Sequence, residues 1–131
     1  MRRAAAAERG AVVEWVRAHG SPGWASECEV AFARQPIACF VAVEKKDHLA
    51  GIACYEATAR GFFGPEVVHP DRRGKGVGKA LLLSALHAMR AEGYGYAIIG
   101  WASSIDFYKK AVGAVVIEGS DPGLYPPKLL R

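Results

Sequence analysis

The apolar and polar positions of this chain change period several times, and each change marks an element. Val12, Val13, Trp15 and Val16 form an apolar side behind the run Ala4-Ala5-Ala6-Ala7, a sequence of high helix propensity. Together they predict a helix over residues 4–18, closed by Gly20. Ser21-Pro22-Gly23 reads as a turn. Residues 25–33 predict a shorter helix with Ser26 as its cap, ended by Pro36. The spacing then becomes that of strands. Residues 37–43 are continuously apolar, Glu44-Lys45-Lys46-Asp47 is a polar turn, and residues 49–56 return as a second apolar run. The pair predicts an antiparallel hairpin. After a connection over 57–61, residues 62–69 predict a third strand. Its Gly64-Pro65 pair should mark a bulge or break, because proline has no amide hydrogen for a ladder.

Helical spacing returns at Val77, Leu81, Ala85 and Met89, which predicts a helix from Val77 to about Glu92 with Gly93 as its stop. Residues 96–100 predict a buried strand, and the segment from Glu66 to Gly100 a right-handed parallel crossover. Ser103 and Ser104 precede a predicted helix over 105–112, ended by Gly113, and residues 114–118 predict a last strand. The order implies an α/β sandwich of three layers, with a mixed central sheet and helices on both faces. With 131 residues, no repeat and no linker, it reads as one domain over residues 1–131.

Composition narrows the function. Hydrophobic residues make up 51 %, which excludes a disordered chain. The net charge of +4 is concentrated between Arg72 and Lys79, which favours a small anionic ligand over the wide basic face of a nucleic-acid binder. No apolar run approaches membrane-spanning length, and the N-terminus lacks the apolar core of a signal peptide, so a cytoplasmic protein is expected. Cys28, Cys39 and Cys54 are odd in number and lack C-x-x-C spacing. They fit buried thiols in a reducing compartment better than disulfides or a metal site, and no metal is expected.

The chemistry centres on Val67-Val68-His69-Pro70-Asp71-Arg72-Arg73-Gly74-Lys75-Gly76-Val77-Gly78-Lys79. A strand leads through a basic glycine loop into a helix whose first amides have no intrahelical partner. Those amides sit at the positive end of the helix dipole, which suits a phosphate. A Walker loop would need glycine at Arg73 and Ser or Thr at Ala80. A dinucleotide fingerprint would need glycine at Lys79 or Leu81. Neither motif fits.

The pattern Arg73-x-x-Gly76-x-Gly78 after Val-His-Pro-Asp, with Phe107-Tyr108-Lys109-Lys110-Ala111 further on, resembles the GNAT superfamily of N-acetyltransferases. The likeness covers roughly residues 37 to 118 and is strongest over 66 to 83. It implies that acetyl-coenzyme A binds as acetyl donor. Arg73, Gly74, Lys75, Gly76, Val77, Gly78 and Lys79 would hold the diphosphate, and a backbone amide of Val67 or Val68 would polarise the thioester carbonyl. It also implies a bulge in the third strand that helps part it from its parallel neighbour and admits pantetheine. Family members often carry an asparagine where this chain has Trp101-Ala102, and their first and last strands are not visible here. Those strands are absent or come from another domain or subunit, a homodimer being one such arrangement.

An amine must be neutral to attack a thioester, and a free alkylammonium has a pKa of about 10.4. Glu66 is the candidate base, with His69, Glu56 and Glu27 as rivals. Tyr108, a phenol protonated at neutral pH, is the candidate donor to the leaving thiolate, as the resemblance also implies. The resemblance implies, from fold position alone, that Trp24, Glu27 and Glu29 line the acceptor wall. The expected activity is direct transfer of acetyl to a small-molecule or peptide amine in a ternary complex, with no nucleic-acid or membrane partner. A coenzyme A-binding sensor of little catalysis is the alternative.

Overall fold

The computed structural model describes residues 1–130. They fall into two compact units, residues 1–98 and residues 99 onward. The strands form one mixed five-stranded sheet in the order β1-β2-β3-β4-β5. They are Arg2–Arg3 (β1), Cys39–Val43 (β2), Leu49–Tyr55 (β3), Phe62–Val68 (β4) and Ile98–Ile99 (β5). The helices are Arg9–His19 (α1), Pro22–Phe32 (α2), Val77–Ala91 (α3) and Ile105–Val112 (α4).

In the first unit, β1 to β4 are antiparallel neighbours. Side chains alternate across a strand, so the register assigns each residue to a face. Gly51 lies under the Leu81 side chain of α3, which places Ala53 and Tyr55, two and four residues on, on the α3 face. Tyr55 confirms this by donating its hydroxyl to Glu92, at the end of α3, over 2.5 Å. Ile52 and Cys54 therefore point to the α1–α2 face, as do their partners Val41, Val67 and Cys39. Val67 reaches toward Gly20 at the end of α1. Val12, Val13 and Val16 of α1, Ala25, Cys28, Ala31 and Phe32 of α2, and Leu81, Leu82, Ala85 and Met89 of α3 close the two layers.

The bulge expected at Gly64-Pro65 is present. Tyr55 pairs with Phe63 and Ala53 with Glu66, so β4 spends one residue more than β3 between those rungs. Phe63 and Glu66 consequently share a face although three positions separate them.

Four expectations need correction. The helix predicted over 4–18 begins only at Arg9, and a first strand exists. Arg3 donates to the Ile37 carbonyl at 2.6 Å and to the Tyr55 hydroxyl at 2.7 Å, and its guanidinium lies over the Phe40 ring. The Ala4 amide donates to the Cys39 carbonyl at 2.8 Å. These tertiary bonds override the helix preference of the alanine run. Second, Ser21-Pro22-Gly23 is the start of α2 rather than a separate turn: Ser21 accepts from the Trp24 amide at 3.1 Å and Pro22 is the first helical residue. Ser26 is inside the helix and donates to the Pro22 carbonyl. Third, β5 is two residues long instead of five. Fourth, residues 114–118 form no strand, and Val115, Val116 and Ile117 are exposed. In the second unit α4 has the predicted bounds, with Gly113 in the left-handed conformation after it.

Gly51 is a site of close approach. A Cβ there would stand 2.9 Å from both the Leu81 side chain and the Val67 carbonyl oxygen. Gly51→Ala is expected to lower the unfolding free energy by about 1–3 kcal/mol, because the carbonyl cannot move aside. Gly10→Ala, in α1 with nothing within 4 Å, should instead be neutral or stabilising by about 0.5–1 kcal/mol. Urea titration of both variants checks the pair.

Candidate active site

The outer edge of β4 is set by hydrogen-bond alternation. The His69 amide donates to the Ala50 carbonyl at 2.8 Å, which makes that rung a bonded pair. In an antiparallel ladder bonded and non-bonded pairs alternate. Val67 therefore spends its amide and carbonyl on Ile52, while those of Glu66 and Val68 point away from β3. The Val68 carbonyl is accordingly free to accept from Arg73 Nε at 3.3 Å. Of the two amides considered for the thioester, only that of Val68 is turned outward. On the same side, at the start of β4, the Ile98 amide donates to the Gly61 carbonyl at 2.9 Å.

The loop continues from this edge. His69 Nδ1 accepts from the Asp71 amide at 3.1 Å and caps the turn Pro70–Arg72. Gly74 and Gly76 have φ of 75° and 83°, a region costly for residues with a Cβ. Gly76 is the N-cap of α3, and the first helical bond runs from the Ala80 amide to the Gly76 carbonyl at 3.0 Å. The amides of Val77, Gly78 and Lys79 thus precede any intrahelical acceptor, at the positive end of a 15-residue helix. A Cβ on Gly74 or Gly76 would meet nothing within 4 Å. These glycines serve backbone conformation and leave open space beside the amides. Lys75, Gly76 and Lys79 are exposed. Arg72 leaves the group: its Nε donates to Glu44 on the β2–β3 turn at 2.5 Å. Among the described residues, no ion pair engages Lys75 or Lys79.

The carboxylates separate by partner. Glu56 accepts from the Gly61 amide at 2.5 Å and holds the β3–β4 connection. Glu27 accepts from the Thr58 hydroxyl, and Glu29 pairs with Arg9 at 3.5 Å. Glu66 differs from all of them. The register places it on the α3 face opposite Ala53, and its buried Oε1 has no hydrogen-bond partner. Burial raises its pKa to about 8. A buried carboxyl without a partner is costly to the fold, and such groups concentrate at functional sites.

Glu66, Val68 and the loop are thus brought together along one edge of the first unit. Tyr108 is in the second unit, on α4, with its ring edge-on to Phe107 at 5.1 Å. Trp24 is exposed near the start of α2. The sequence reading missed one gathering of reactive groups, the three cysteines. The hairpin's own register pairs Cys39 with Cys54, and α2 supplies Cys28.

A three-layer α/β sandwich with a bulged strand that feeds a glycine loop and a helix N-terminus is the architecture of an acyltransferase of the GNAT type. The model of the acetyltransferase (GNAT) family matches residues 9–114, and this chain belongs to that family. The family ties the chain to acyl transfer as a class of chemistry. Among solved structures, a Trypanosoma brucei acetyltransferase shares the fold: its TM-score is 0.64 at 22 % identity, with 89 % of this chain and 92 % of that one covered. The solution structure of apo YjaB from Escherichia coli aligns with a TM-score of 0.45 at 24 % identity, over 84 % of this chain and 78 % of that one. No curated protein matches the sequence.

The raised pKa of Glu66 has a consequence for stability. A carboxyl whose folded pKa exceeds its unfolded value contributes fully below the unfolded pKa, and that contribution is lost as pH rises through the folded value. The window here runs from about 4.5 to about 8. Glu66→Gln should therefore gain stability relative to the parent across that window, by up to about 5 kcal/mol, and differ by a constant outside it. Denaturant midpoints measured from pH 4 to pH 9 read this directly.

Proposed function

We propose that the protein is an N-acetyltransferase that moves the acetyl group of acetyl-coenzyme A directly to an amine acceptor in a ternary complex. The observation that carries the reading is the continuity of the β4 edge with the α3 N-terminus. Outward backbone groups at Glu66 and Val68 lead into amides at Val77, Gly78 and Lys79 through only the short turn Pro70–Arg72 and the glycine loop. The donor set fits a coenzyme A arm and diphosphate. The amides of Val77 to Lys79 and the ammonium groups of Lys75 and Lys79 would hold the diphosphate, and Arg73 would brace the loop against Val68. Bound acetyl-coenzyme A would supply the activated thioester.

In this scheme the Val68 amide stabilises the oxyanion that forms as the amine adds to the carbonyl. Glu66 takes the proton from the ammonium. A carboxylate with a pKa near 8 is a far better match to that donor than an ordinary glutamate. Tyr108 donates a proton to the departing thiolate, a role that its phenol chemistry supports. The acceptor is a small-molecule or peptide amine, since the cations cluster at the loop rather than across a wide face.

The binding and chemical claims have separate tests. Gly76→Asp sets a β-substituent at a φ of 83° and a negative charge beside the diphosphate. Calorimetry should find its acetyl-coenzyme A affinity reduced by at least a hundredfold, and unchanged affinity would move the phosphates elsewhere. Tyr108→Phe should keep cofactor affinity and lose tenfold or more in turnover on an amine panel. Glu66→Gln should lose the rise of kcat/KM with pH near 8. A protein that binds the cofactor and turns over none of the amines would instead be a coenzyme A-binding module.

A further inference from the structure

Cys28 on α2, Cys39 on β2 and Cys54 on β3 meet in the α1–α2 layer, where each is fully buried. All three thiols are free, and their sulfur atoms lie within 4.8 Å of one another. We propose that these three sulfurs form a trigonal site for a soft, thiophilic ion, Cu(I), independent of acetyl transfer.

The geometry and the donor set choose the ion together. A metal–thiolate bond of about 2.3 Å in a planar trigonal arrangement requires sulfur atoms roughly 4 Å apart. The cluster already sits within reach of that spacing, on three elements that cross at one point. Thiolate donors select soft ions. Structural zinc takes four ligands, and among the described residues no fourth His, Cys, Asp or Glu joins this cluster. Cu(I) accepts three sulfurs with no further ligand. Ala25 and Ala31, three residues either side of Cys28 on α2, and Ile52 on the same face of β3 as Cys54 are buried and apolar, so water does not compete for the ion. Coordination makes the Cu–S bonds and releases thiol protons to solvent, with no change in oxidation state. Because the sulfurs are enclosed, the ion enters as the chain folds or during opening of α2.

The test uses the full chain, unfolded under reductant without oxygen and refolded with Cu(I) held by a competing chelator. The folded wild type should retain one Cu(I) per chain, with thiolate-to-copper charge-transfer absorption in the near ultraviolet. X-ray absorption should show a first shell of sulfur alone at roughly 2.3 Å. Cys28→Ala and Cys54→Ala should each retain Cu(I) at least a hundredfold more weakly. Folded wild type without copper overturns the proposal, as does equal retention by a folded alanine variant. Should the variants fail to fold, the wild-type absorption spectrum decides alone, and nitrogen or oxygen in the first shell overturns the site.

Discussion

One extra residue in β4 organises the candidate site. The rungs Tyr55–Phe63 and Ala53–Glu66 frame the bulge at Gly64-Pro65, and every assignment beyond it depends on that count. With the bulge in place, Val67 bonds to β3 and Val68 turns its amide outward. Glu66 then falls on the α3 face, where its buried Oε1 finds no hydrogen-bond partner. A regular strand in the same position would exchange those roles, because strand periodicity is two and a shift of one inverts both faces and edges. The outward amide of Val68 and the buried acid are in this sense products of the same irregularity.

The loop adds electrostatics to that edge, and its charges divide by task. Arg73 reaches back to the Val68 carbonyl and Arg72 reaches aside to Glu44, so both guanidinium groups fasten the loop to the sheet. Lys75 and Lys79 stay in solvent beside the helix amides. Flexible ammonium groups suit an anion that must arrive and leave, whereas arginines suit fixed geometry. The glycines contribute conformation: two residues with positive φ turn the chain from strand to helix within a few positions.

The opposite face of the sheet carries a different chemistry. Helix α2 and strands β2 and β3 bring Cys28, Cys39 and Cys54 together on the α1–α2 side of the sheet, away from the α3 face that holds Glu66. Thiols pack as small apolar groups, so the cluster satisfies the core whether or not an ion is bound. The two faces of one sheet can thus answer to separate demands, and their residues alternate along the same strands.

Most of the elements, and the loop, were legible in the residues alone. Apolar runs marked β2 and β3, helical spacing marked α3, flanking serines and Gly113 marked α4, and Gly64-Pro65 announced the bulge in β4, because each rests on local periodicity or on backbone chemistry that no partner can change. The spacing of Arg73, Gly76 and Gly78 carried the family resemblance for the same reason. Tertiary structure decided the rest. Residues 2 and 3 form a strand because Arg3 finds Tyr55, 52 positions away, a contact that outweighs the alanine run behind it. Only pairing distinguishes Val68 from Val67, and only the finished hydrogen-bond network separates Glu66 from Glu56 and Glu27. The cysteines looked unrelated because their spacing in the chain says nothing of a hairpin register that sets two of them side by side and a helix that lays the third across.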